Sequence, residues 1–79
     1  MSVKILYFAS LADRAGCIEE SVDTQSTTAK SIYEEACLRH GFTFGIDKLR
    51  VAVNGAFVGW EFVVNDGDEI VFIPPVSGG

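Results

Sequence analysis

The chain has 79 residues, 48% of them hydrophobic, and a formal net charge of −5. That length holds one domain, that apolar content excludes disorder by composition, and there is no room for a deep cleft walled by two layers. Six Lys and Arg, scattered singly, exclude the basic stripe that nucleic acid or an anionic membrane surface would require.

Met1 leads directly into a strand-like run, with no basic leader and no cleavage site. No apolar run approaches a membrane span. The expectation is a cytoplasmic protein whose Cys17 and Cys37, without CxxC spacing, are reduced and serve as small buried hydrophobes. A single disulfide cannot be inferred from their spacing.

Val3–Ala9, β-branched and aromatic, predicts a strand. Ser10–Ala15 suits a helical turn closed by Gly16, and Ile18–Val22 a weaker second strand returning beside the first. Ser26, Thr27 and Thr28 offer helix-capping oxygens. From there Ala29, Ile32, Tyr33, Ala36, Cys37 and His40 recur at spacings of three and four, the stripe of an amphipathic helix. Lys30, Glu34, Glu35 and Arg39 take the solvated side, Leu38 falls opposite the stripe, and Gly41 is the stop. Phe42–Lys48 looks irregular. Leu49–Val53 is a strand, Asn54-Gly55 a type I′ hairpin turn and Ala56–Val58 its return. Asn65–Asp68 is a further turn, and Glu69–Ile73 a last apolar strand ended by Pro74-Pro75.

The order β-β-α-β-β-β with one long helix implies a two-layer α+β domain. The pattern is the ubiquitin-like β-grasp: a mixed sheet over residues 1–73, one long helix on one face, and the last strand central and parallel to the first. Residues 74–79 form a tail.

Strand alternation separates the faces. Lys4 shares one with Leu6 and Phe8, and Glu69 shares one with Val71 and Ile73. The charges mark the wetter side, so the helix covers Val3, Ile5, Tyr7, Ile70 and Phe72. Leu6, Phe8, Val71, Ile73 and Phe57 are left uncovered, as at a protein interface. A plainer alternative is that Trp60–Val64 folds over them.

Val76-Ser77-Gly78-Gly79 follows the prolines. The six tail residues reach roughly 20 Å when extended. The prolines stiffen its base, and the glycines, lacking Cβ, pass through a narrow channel. A carboxylate on Gly79 is a poor electrophile until it is activated, for example as an acyl-adenylate. The alternative is a frayed terminus. His40 reads as a helix-terminal, partly buried histidine, with no carboxylate or serine at a telling spacing. Asn65–Glu69 lacks the ligand spacing of a calcium loop, so no metal is expected, and Trp60 reads as packing.

Ile5-Leu6-Tyr7-Phe8-Ala9, Val51-Ala52-Val53-Asn54, Gly67-Asp68-Glu69-Ile70 and the closing Phe72-Ile73-Pro74-Pro75-Val76-Ser77-Gly78-Gly79 resemble the MoaD family, the sulfur-carrying small subunits of molybdopterin synthase. The resemblance implies that a ubiquitin-activating-like (MoeB-like) enzyme adenylates the Gly79 carboxylate with ATP, and that a sulfurtransferase persulfide converts it to a thiocarboxylate. The tail then enters the large (MoaE-like) subunit and donates sulfur to cyclic pyranopterin monophosphate. The resemblance further implies that Gly78 and Gly79 carry the chemistry and that the chain binds no cofactor of its own. Phe8, Phe57, Ile73, Pro74, Pro75 and Val76 would be gripped by the partner, in a heterotetramer with two large subunits. A sulfur carrier for thiamine or a thiolated nucleoside, and a modifier joined to lysines through Gly79, use the same tail and remain alternatives.

Overall fold

The most apolar segments at the two ends of the sequence pair with each other. In the computed structural model, which describes residues 1–75, the chain forms β1 (Ser2–Tyr7), α1 (Ala9–Ala15), β2 (Glu19–Asp23), α2 (Ala29–His40), β3 (Arg50–Val53), β4 (Ala56–Val58) and β5 (Glu69–Ile73). β1 and β5 run parallel, with Ile5 beside Ile70 and Tyr7 beside Phe72. The other pairings are antiparallel, and the sheet order is β2-β1-β5-β3-β4. This is the expected ubiquitin-like mixed sheet.

One face of that sheet is dry. Val3, Ile5, Tyr7, Val51, Val53, Ile70 and Phe72 are all buried, against Ala29, Ile32, Tyr33 and Ala36 of α2. Each such large side chain contributes roughly 1.5–3 kcal/mol by leaving water. Thr28 caps α2: its hydroxyl accepts from the Ser31 N–H at 3.1 Å, while Ser31 Oγ accepts from the Thr28 N–H at 3.2 Å. Leu38, off the stripe, is 89% exposed. Gly41 ends the helix at φ +73°, a conformation that only glycine adopts cheaply.

Four local expectations are corrected. The segment after β1 is a seven-residue helix whose Leu11 completes the core, so the long helix is not alone. β1 stops at Tyr7, and not at Ala9, because Ala9 turns left-handed at φ +50°. Phe42–Lys48 is packed: Phe42 stacks on Tyr33 at 6.1 Å, and the Tyr33 hydroxyl donates to the Phe44 carbonyl at 2.7 Å. Burial, followed by Cys37 beside it, pushes that hydroxyl well above the usual tyrosine range. Glu35 is half-buried instead of solvated, accepting from Thr24 at 2.7 Å and Ser26 at 2.6 Å.

Trp60 packs on the dry side, stacked on Phe72 at 6.0 Å. Its loop runs along the start of α2, where the Trp60 and Phe62 carbonyls accept from Lys30 and Ala29. It therefore does not fold over the open face. The Asn54-Gly55 turn forms as expected, with both residues at positive φ. Asn54 also clasps the Asn65–Asp68 turn, donating to Asp68 at 2.9 Å and accepting from the Glu69 N–H at 3.0 Å. The Asn65 N–H and the Asn54 amide hold the Asp68 carboxyl below its ordinary value.

Two outcomes are expected. A left-handed L-residue is strained, and a β-branched one more so. Ala9→Gly is therefore neutral or stabilising in urea denaturation, and Ala9→Val costs about 1–2 kcal/mol. A valine variant as stable as the parent would contradict the strained turn. For Glu35, burial raises the carboxyl, but the Ser26 and Thr24 hydroxyls outweigh it and leave the value below the ordinary 4.5. Its stabilisation is complete above that ordinary value and fades as pH falls through the lower folded one. Glu35→Gln is thus less stable than the parent at neutral pH. The gap, followed by circular dichroism, closes as the pH drops below 4.5; a gap independent of pH would sink the argument.

Candidate functional site

The face of the sheet away from α2 carries no second layer among the described residues. Register places Phe57, Ala52, Val71 and Leu6 in one row across β4, β3, β5 and β1. At the usual strand spacing that row spans about 14 Å. Phe57 is 66% exposed and Phe8 50%. Leu6, Val71 and Ile73 are half-buried, and Ala52, small and overhung by its row neighbours, is buried. Exposed aromatics joined by a continuous aliphatic row are the composition of a docking surface.

The row leads to the base of the tail. β5 ends at Ile73; Pro74 is buried and Pro75 exposed. Neither proline has an N–H to extend the ladder, so the chain leaves the sheet here. Phe8, Ile73, Pro74 and Pro75 come together around a cleft of about 590 Å³, which Phe44 also lines. A second cleft, of about 400 Å³, lies between the prolines and Asp47–Arg50.

Of the residues singled out from sequence, the structure brings Phe8, Ile73, Pro74 and Pro75 into one cleft and sets Phe57 on the same face, further from the tail. Val76, Gly78 and Gly79 lie outside the described residues. Phe44 and Arg50 were not anticipated. Strand alternation, which sets Arg50 on the face of Ala52, could have placed it on the open side, whereas its pairing with Ile73 comes from the register of β3 on β5. Phe44 sits in a loop with no periodicity and leaves no such signal.

Other chemistry on the described residues is structural. His40 is helix-terminal and partly buried, as expected, and it meets a carboxylate that sequence spacing did not show: Glu20 of β2 lies 2.6 Å from its Nε2. The same carboxylate takes Arg39 at 3.3 Å and the Tyr7 hydroxyl at 3.3 Å. Burial, then Glu20, pushes the Tyr7 hydroxyl far above its ordinary range. This cluster ties α2 to β1 and β2 from the dry side. Cys17 and Cys37 are free, half-buried thiols. Among the described residues no group of three or more His, Cys, Asp or Glu is placed to hold a metal ion, and no helix is long and apolar enough to cross a membrane.

The sequence matches the family model described as the ThiS family over residues 5–79. It is 30% identical over 80 residues to the molybdopterin synthase sulfur carrier subunit of Escherichia coli, covering 98% of this chain and 99% of that protein. The crystal structure of SAMP1, a small archaeal modifier protein of Haloferax volcanii, is similar with a TM-score of 0.83 at 29% identity, each chain covered in full. A complex of subunits 1 and 2 of the molybdopterin-converting factor from Helicobacter pylori contains a chain of the same fold, with a TM-score of 0.69 at 20% identity over the whole of both chains. With its fold and nearly its full length matched, the chain belongs to the ThiS family, and its relatives include sulfur carrier subunits of molybdopterin synthase.

Proposed function

We propose that this chain is the sulfur-carrier subunit of a molybdopterin synthase, with the carboxylate of Gly79 as its reacting group. The observation that carries the reading is the uncovered apolar row running into Pro74-Pro75. It provides a surface to grip beside a tail that leaves the sheet. Four extended residues beyond Pro75 reach about 13 Å, enough to deliver a terminus into another protein's site.

The chemistry divides among partners. A ubiquitin-activating-like enzyme lets the Gly79 carboxylate displace pyrophosphate from ATP, giving the acyl-adenylate. The outer sulfur of a sulfurtransferase persulfide displaces AMP. A thiol then takes up the sulfurtransferase's sulfur as a disulfide and leaves the thiocarboxylate on Gly79. The tail enters the large subunit and passes the sulfur to cyclic pyranopterin monophosphate. Phe8, Phe57, Ile73, Pro74, Pro75 and Val76 face that subunit, and the assembly is a heterotetramer with two large subunits. The Helicobacter pylori complex, in which a chain of this fold is paired with a second subunit, supports a large-subunit partner.

The likeness to an archaeal small modifier favours a second reading, in which the activated Gly79 forms isopeptide bonds with lysines. Covalent adducts on a denaturing gel separate the two.

Intact mass after incubation with the activating enzyme, ATP and a sulfur donor tests the reading. The expected gain equals one oxygen replaced by sulfur, mapped to the peptide holding Gly79 and lost when Gly79 is deleted. Mapping is needed because oxidation of Met1 changes the mass almost equally. A chain that is never activated leaves the carrier reading without chemistry. Phe57→Ala, which removes an exposed ring from the edge of the row, weakens large-subunit binding about tenfold while leaving the fold intact. Unchanged affinity in titration calorimetry would remove Phe57 from the interface.

A further inference from the structure

The chain is acidic overall, which serves solubility and would also suit a partner with a basic docking face. The distribution of charge on the open face says otherwise where the tail leaves. On that face the acids Asp23, Glu69 and Glu19 stand on β2 and on the start of β5, and Lys4 beside them is already paired with Glu19 at 3.5 Å. β3 runs antiparallel to β5, which brings its first residue, Arg50, level with Ile73 at the tail's base. Arg50 is exposed, and none of the ion pairs among the described residues involves it. Lys48 lies in the same cleft beside Pro74-Pro75. The one acid there, Asp47, folds its carboxylate back over Gly45, one oxygen 2.7 Å from where a Cβ on that glycine would sit. The mouth of the tail is thus locally cationic on an anionic protein.

Building on the carrier reading, we propose that Arg50 is a specificity-determining contact: it receives a carboxylate on the rim of the partner's tail-accepting channel. Three features carry this. Arg50 is continuous with the apolar row through Ala52, so a partner seated on the row comes within its reach. A guanidinium presents a planar fork that matches a carboxylate in two parallel hydrogen bonds. A cation at one pole and acids at the other orient the encounter, so that the tail arrives first at an acidic mouth.

The test is stopped-flow association of the thiocarboxylated chain with the molybdopterin synthase large subunit of its own organism, at about 20 mM and about 500 mM salt. Arg50→Glu slows association roughly three- to tenfold at low salt, and the deficit falls below about twofold at high salt. Arg50→Met gives an intermediate loss. Lys30→Glu, on the opposite side of the molecule with the same change in net charge, leaves association within about twofold. Equal rates for Arg50→Glu and the parent at low salt overturn the proposal, as does a loss that salt does not relieve or that Lys30→Glu reproduces. If the parent itself fails to bind the large subunit, the carrier reading falls and this one falls with it. Binding indifferent to Arg50 overturns this one alone.

Discussion

The parallel pairing of β1 with β5 is the constraint on which everything else rests. Joining the two ends of the chain at the centre of the sheet closes the longest loop in the molecule, a cost in chain entropy that only a dry interface can offset. Ile5, Tyr7, Ile70 and Phe72, fully or almost fully buried, supply that interface together with α2. The same pairing fixes the direction of β5, and so decides that the chain leaves the sheet beside Phe8 and the start of β3. The archaeal modifier SAMP1 shares this fold with the present chain. The point at which the chain leaves the sheet is set by the core.

A domain of this size has enough helix to cover one side of its sheet, and the uncovered side becomes a resource. Charged residues flank the row from Phe57 to Leu6 along the strands, Lys4 and Glu69 on one side and Arg50 on the other. The dry core and the open row lie on opposite faces of the same sheet. A substitution on one face need not trade against the other, as it would in a protein whose site is carved from its core.

Much of the fold was legible because the punctuation was strong. Asn54-Gly55 and Pro74-Pro75 bound β4 and β5 at the residues expected, and period-two alternation sorted the faces correctly. The readings that failed had no local signal. Nothing in Ala9 marks a left-handed turn, and nothing in Glu35 announces hydroxyl partners from a loop nine and eleven residues before it. Phe42 and Phe44 lie in a stretch without period, yet both find tertiary partners. Of the site, the apolar strand members Leu6, Val71, Ile73 and Phe57 were readable from alternation, whereas the place of Arg50 beside Ile73 emerged only when the register of β3 on β5 was known.

The two prolines at the end of β5 also bear on how the molecule carries load. Tension applied beyond Pro75 would run along β5, which is held by β1 on one side and β3 on the other. The hydrogen bonds to both neighbours lie across the direction of pull, so they resist together in shear instead of opening one after another. A strand at the sheet's edge would peel. Load applied at Pro75 therefore enters a strand held on both sides rather than one at the sheet's edge.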